Sequence, residues 1–198
     1  MTTDEKAMES YFEKKGWLRK VAGETDFTNA VKTFAMMRGR EGLGVLICGC
    51  YGSGKTKLVN IFADYFGCEN RVRLGIRSER EKFDDKYIEY HCSQLYDHNV
   101  LVDDLGAEEP INEYGVRIES AADFIVKFHA SHQWATEKAD ILPKDLSTVQ
   151  IPRLLITTNL SITEIDARYG GRVVSRLKDL CIPLPLTGED KRKWRTVS

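Results

Sequence analysis

The chain has 198 residues, 42% hydrophobic and 30% charged, with a net charge of −1, which suits one globular α/β-sized domain with a full core. Near-neutral charge excludes a global attraction to nucleic acid or anionic membrane, so any DNA contact needs a local patch. No apolar run approaches membrane-spanning length, Met1-Thr2-Thr3-Asp4-Glu5-Lys6 is too polar for a secretory signal, and the five cysteines form no C-x-x-C pair; these features point to a reducing, cytoplasmic setting.

Residues 4–20 mix charges with Met8, Tyr11, Phe12, Trp17 and Leu18, predicting a short amphipathic helix. A second helix is expected over 27–38, capped by Asp26 or Thr25, with Phe27, Ala30, Val31, Phe34 and Ala35 on its inner face. Gly39, Gly42 and Gly44 then break the chain before an apolar strand, Gly44-Val45-Leu46-Ile47-Cys48.

That strand leads into Gly49-Cys50-Tyr51-Gly52-Ser53-Gly54-Lys55-Thr56. The segment fits G-x-x-x-x-G-K-[ST] at every fixed position, and Lys57 to Phe66 follows it with Leu58, Ile61, Phe62, Tyr65 and Phe66 at helical spacing. Strand, glycine loop and helix together make a phosphate cradle. The glycines let successive N–H groups turn inward, and the helix N-terminus adds partial positive charge. Gly49, Gly52, Ser53, Gly54, Lys55, Thr56 and Lys57 are the candidate nucleotide-binding residues. Lys55 is suited to the β- and γ-phosphates, and Thr56 offers its hydroxyl to Mg²⁺; the expected ligand is a nucleoside triphosphate with Mg²⁺.

Farther along, Val72-Arg73-Leu74-Gly75-Ile76 alternates like a strand, and 79–96 carries Phe83, Tyr87, Ile88 and Leu95 at roughly helical spacing. Val100-Leu101-Val102-Asp103-Asp104 is a compact strand ending in two carboxylates. A helix is expected around 117–136 on a stripe of Ile118, Ala121, Ala122, Ile125, Val126 and His129, and a loop over 137–150. Arg153 to Asn159 is another buried strand with a polar end. Ser161-Ile162-Thr163-Glu164 is a capping box that starts a helix, and Gly170-Gly171 stops it. Arg172 to Leu180 forms a further short helix with Val173, Val174 and Leu177 inward. Cys181 to Leu186 is an edge strand, because Pro183 and Pro185 exclude a central one.

Strands alternating with helices imply a parallel sheet covered on both faces, with ligands beyond the carboxyl ends of the strands. Three such ends here are polar: the glycine loop, Asp103-Asp104 and Thr158-Asn159. Asp103 is suited to hold Mg²⁺, largely through water, and Asp104 to orient or deprotonate the attacking water. Asn159 can bond the γ-phosphate or that water, or be an ordinary asparagine of a strand-to-helix turn.

The set formed by Gly49–Thr56, Leu101-Val102-Asp103-Asp104-Leu105-Gly106, Ile156-Thr157-Thr158-Asn159-Leu160 and Arg168-Tyr169-Gly170-Gly171-Arg172-Val173-Val174-Ser175-Arg176-Leu177 resembles the AAA+ ATPases of the DnaC helicase-loader and IstB transposition-helper type. The resemblance runs from about Phe27 to Leu186. It implies a P-loop NTPase three-layer sandwich on a parallel five-stranded sheet, an AAA+ core without a C-terminal lid. The expected division is a helical extension over 1–26, the ATPase domain over 27–188 and a basic tail over 189–198.

The resemblance further implies ATP hydrolysis, slow in a lone subunit. Asp103 matches the metal position, Asp104 the catalytic acid and Asn159 the sensor. Arg176, with Arg172 as alternative, matches the arginine that reaches a neighbour's nucleotide; read from residues alone, Arg176 can simply pair with Asp179. The implied partners are further copies of the chain, a replicative helicase or transposase, and single-stranded DNA, with no membrane. Lys191-Arg192-Lys193-Trp194-Arg195 combines cations with an aromatic suited to phosphates and a base, and Arg71, Arg73, Arg77 and Arg80 form a second basic run diluted by acids. The competing class is a nucleotide or metabolite kinase on the same loop, and a third is a nucleotide-gated adaptor that barely turns over.

Overall fold

The computed structural model describes residues 3–73, 98–108, 111–113, 116–118, 120–141 and 149–188. Five parallel strands form the central sheet: β1 (Gly44–Gly49), β2 (Asn70–Arg73), β3 (Val100–Leu105), β6 (Leu154–Thr158) and β7 (Cys181–Leu186), in the order β2-β3-β6-β1-β7. A separate antiparallel hairpin pairs β4 (Ile111–Glu113) with β5 (Val116–Ile118). The helices are α1 (Thr3–Lys14), α2 (Arg19–Ala22), α3 (Glu24–Gly39), α4 (Lys55–Phe66), α5 (Ser120–Ile141), α6 (Ile162–Tyr169) and α7 (Gly171–Leu180). This is a three-layer α/β sandwich on a parallel five-stranded sheet, as expected.

The two-residue period of a strand sorts its side chains between two cores. Val45 and Ile47 of β1, Leu101 of β3, Leu155 of β6 and Leu184 of β7 pack with Phe12, Phe27, Phe34, Leu58 and Phe62 of the helices on one face. Leu46, Val100, Val102, Leu154 and Ile156 pack with Phe124, Ile125, Phe128, Ile165, Val173 and Leu177 on the other. Near-continuous apolar runs are what a sheet buried on both sides requires. The three strands with polar carboxyl ends, β3, β6 and β1, are neighbours at the centre, and β7 lies at an edge.

Several predicted boundaries move. The first helix stops at Lys14; Gly16, at φ 78°, turns the chain before α2. Helix α3 starts at Glu24 after Gly23, so neither Thr25 nor Asp26 caps it. Asp26 is 3% exposed; its carboxylate accepts from Thr187 N, Thr187 Oγ1 and Gly188 N at 2.9–3.1 Å. Donors brought from the far end of β7 outcompete the local cap. Met37 is buried on α3, whereas Ala35 is only half-buried.

Ile118 belongs to β5, not to the helix that follows. That helix runs to Ile141, through the start of the expected loop, and buries Ala121, Phe124, Ile125, Phe128 and Ala135 while Ala122 and Val126 are half-buried. The capping box is present: Glu164 N donates to Ser161 Oγ and Ser161 N to Glu164 Oε2. Strand β2 starts at Asn70. Residues 74–76 of that predicted strand, the predicted helix over 79–96, residues 142–148 and the basic tail lie outside the described residues. Cys48, Cys50, Cys68 and Cys181 are free thiols; burial pushes Cys48 up to about 11 and Cys68 up to about 12, so both stay protonated and pack as small apolar groups.

Candidate functional site

Helix α4 opens inside the glycine loop, with Gly54 at its N-cap and no side chain capping it. The first N–H groups of a helix have no partner within it, so those of Lys55, Thr56 and Lys57 are available to an anion. Gly52 at φ 75° and Gly54 at φ 96° supply the left-handed backbone that curls the loop. At Gly54 a side chain is excluded twice over, because a Cβ there would lie 2.8 Å from the Trp17 ring. Lys57 Nζ donates to Gly16 O at 2.5 Å. Its amine therefore holds the N-terminal turn, and only its backbone borders the cradle. Ser53 is 1% exposed and packs inward against Gly49. Tyr51 is 67% exposed, and its ring lies 6.0 Å from the Lys55 ammonium.

Lys55 is 6% exposed. It donates to Gly49 O and Cys50 O, both at 2.7 Å, and to Asn159 Oδ1 at 2.6 Å. An ammonium has three donors, and here all three bind neutral oxygens of the loop and the β6 end. Burial pulls Lys55 below the ordinary lysine value, opposed most strongly by the Asp104 carboxylate. Phosphate oxygens arriving at the same ammonium favour its charged form.

Thr56 Oγ1 donates to Asp103 Oδ1 at 3.3 Å, and Thr157 Oγ1, on β6, donates to that same oxygen at 2.5 Å. Asp104 follows at φ 64°, a left-handed backbone uncommon outside glycine. Its N–H donates to Thr157 Oγ1 at 2.9 Å. The register between β3 and β6 shifts between Val102 and Leu105, so a bulge sits at the two acidic residues and redirects them relative to the strand. Lys55, Thr56, Asp103, Asp104 and Asn159 thus gather at one edge of the sheet.

A hydroxyl and a carboxylate are the hard oxygen donors that Mg²⁺ takes, the remaining positions being left to phosphate and water. Among the described residues no group of three or more His, Cys, Asp or Glu could hold a metal alone. The donor set therefore fits a metal that arrives with its phosphates.

Arg172 and Arg176 stand on α7. Arg176 Nη1 donates to Arg172 O at 3.3 Å, within the helix. Asp179, the simple pairing candidate, instead meets His129 Nε2 at 3.1 Å. Arg71 is engaged with Asn60 and Asp64 of α4.

Sequence reasoning gave no individual role to Thr157, Glu108 or Arg168, although Thr157 and Arg168 lie in segments that carry the resemblance. Glu108 is 7% exposed in the loop after β3, and Arg168, on α6, meets its carboxylate at 3.3 Å. The spacing of residues does not show that this threonine reaches the acidic pair, or that this arginine meets a partner 60 positions away.

No protein-family model matches the chain, and no curated protein matches it. Among solved structures, that of the DnaC helicase loader is similar at a TM-score of 0.49 and 15% identity, over 82% of this chain and 90% of that one. At that identity the likeness concerns the course of the chain and not its chemistry.

Proposed function

We propose that this chain binds Mg·ATP at the carboxyl edge of its sheet and hydrolyses it to ADP and phosphate, as an AAA+ ATPase of the helicase-loader or transposition-helper type. The observation that carries the reading is the convergence of three strand ends: Lys55 bonded to Asn159 at 2.6 Å, and Thr56 bonded to Asp103 at 3.3 Å. In this reading the amides of Gly52–Lys57 cradle the phosphates, and Lys55 exchanges loop carbonyls for β- and γ-oxygens. Thr56 and Asp103 would hold Mg²⁺, which would supply positive charge to the phosphoryl oxygens. Asp104 takes the proton of the attacking water, and Asn159 positions that water or the γ-phosphate. Arg176, or Arg172, completes the site of a neighbouring copy. A replicative helicase or transposase and single-stranded DNA are the partners that follow from the motif resemblance.

The test is ATP binding and phosphate release by wild type, Lys55→Ala and Asp104→Asn. Wild type binds and hydrolyses; Lys55→Ala does neither; Asp104→Asn binds with little change and loses turnover by about 10²-fold or more, the usual range for a general base. Tight ATP binding by Lys55→Ala removes the reading. Transfer of phosphate only to an added small-molecule acceptor replaces it with a kinase.

A further inference from the structure

The acidic pair at the end of β3 is held from two sides, and only one of them belongs to the sheet. On the sheet side Thr157 holds Asp103 and the Asp104 amide. Beyond Asp104 the chain makes a tight turn, with Ala107 N donating to Asp104 O at 2.9 Å. Gly106, at φ 97°, lies in that turn. A Cβ on it would come within 2.5 Å of Leu160 Cδ1, so the turn is pressed against the segment that follows Asn159.

Helix α6 supplies the second hold. Arg168 donates through Nη1 to Gly106 O and through Nη2 to Glu108 O, and Nη2 lies 3.3 Å from Glu108 Oε1. The Glu108 carboxylate in turn accepts from Gly106 N at 2.9 Å and from the Tyr169 hydroxyl. The Tyr169 ring lies 5.1 Å from the guanidinium. Arg168 and Glu108 side chains are 20% and 5% exposed. A planar fork of donors can bridge two carbonyls and a carboxylate together; a lysine ammonium cannot match that geometry.

A non-glycine residue in the left-handed region is uncommon and persists where its surroundings hold it. Asp104 is such a residue, and the Arg168–Glu108–Tyr169 clasp fixes the backbone two to four positions beyond it. We propose that Arg168 is a positioning residue for hydrolysis: by pinning Gly106 and Glu108 from α6 it sets where the Asp104 carboxylate stands. The proposal rests on Asp104 being the base of the proposed ATPase. Because α6 follows the Asn159 end of β6 directly, the clasp also keeps those two strand ends in one fixed relation. A purely structural pair would hold α6 to the loop and leave the chemistry of the occupied site untouched.

The experiment compares wild type, Arg168→Lys and Glu108→Gln for ATP affinity, turnover at saturating ATP and thermal melting. Misplacing a catalytic group by about 1 Å costs up to 10²-fold, so Arg168→Lys lowers kcat by about tenfold to a hundredfold while ATP affinity stays within about twofold. Glu108→Gln, which keeps an acceptor for Gly106 N and removes the paired charge, shows the same split and carries the test if Arg168→Lys does not fold. Folded variants with wild-type kcat overturn the proposal, as does a loss confined to ATP affinity or to melting temperature. A wild type that binds ATP without hydrolysing it, or hydrolyses it undiminished in Asp104→Asn, instead defeats the ATPase reading underneath.

Discussion

Thr157 has no exposed surface, and its hydroxyl stands between the two acids at the end of β3. It donates a hydrogen bond to Asp103 and accepts one from the Asp104 amide. Thr157→Val keeps the shape and deletes both bonds. Buried polar groups that lose a partner cost about 1–3 kcal/mol each, so we expect lower stability in urea titration and reduced ATP turnover. Thr157→Ser, which keeps the hydroxyl, restores most of both. Equal stability of the valine variant would show that the hydroxyl contributes nothing there. The candidate site was legible in part at this scale. Lys55, Thr56 and the acidic pair declare themselves because loop chemistry fixes residue types at fixed spacing. Thr157, Glu108 and Arg168 do not, because their contacts between elements cross 53 to 62 positions of chain and depend on which elements become neighbours.

Among the elements, α1 shows how an amphipathic segment joins a core. Phe12 is fully buried, and its ring centroid lies 5.3–6.4 Å from those of Phe27, Phe34 and Phe62, all near edge-on. Truncating such a ring costs about 3–5 kcal/mol. Phe12→Ala is therefore expected to lower the melting temperature sharply; a shift of only a degree or two would show that α1 is dispensable to the body of the protein. Helical period made α3, α4 and α7 readable, since each buries one stripe, and the capping box did the same for α6, which buries only Ile165. The hairpin β4–β5 was not, because three-residue strands are too short to display a period. The start of α3 was misread for a different reason: Asp26 has the chemistry of a cap, but its partners come from the end of β7.

For the whole molecule, the sheet's parallel sense and the central place of the polar strand ends were readable from alternation of strands and helices. The order of the strands gives that alternation its meaning, because it sets β3, β6 and β1 side by side. An arginine supplied by a neighbouring copy is worth about 10³–10⁵ in turnover. Arg176→Ala is thus expected to spare ATP binding by the dilute chain and to flatten the rise of turnover per chain with protein concentration. Constant wild-type turnover across that range counts against a shared site.

The prolines of β7 bear on how copies could meet. Pro183 and Pro185 face Leu46 and Cys48 in an unbroken six-pair register with β1, so the amides that bind β1 come from the intervening residues. The amide of Cys181, in the same alternate series as the prolines, turns back to Leu177 O. The outer margin of the sheet is left with bare carbonyls and no donors at both proline positions. A foreign strand laid along it finds half its hydrogen bonds missing, so on this flank the sheet resists lengthening into a ribbon.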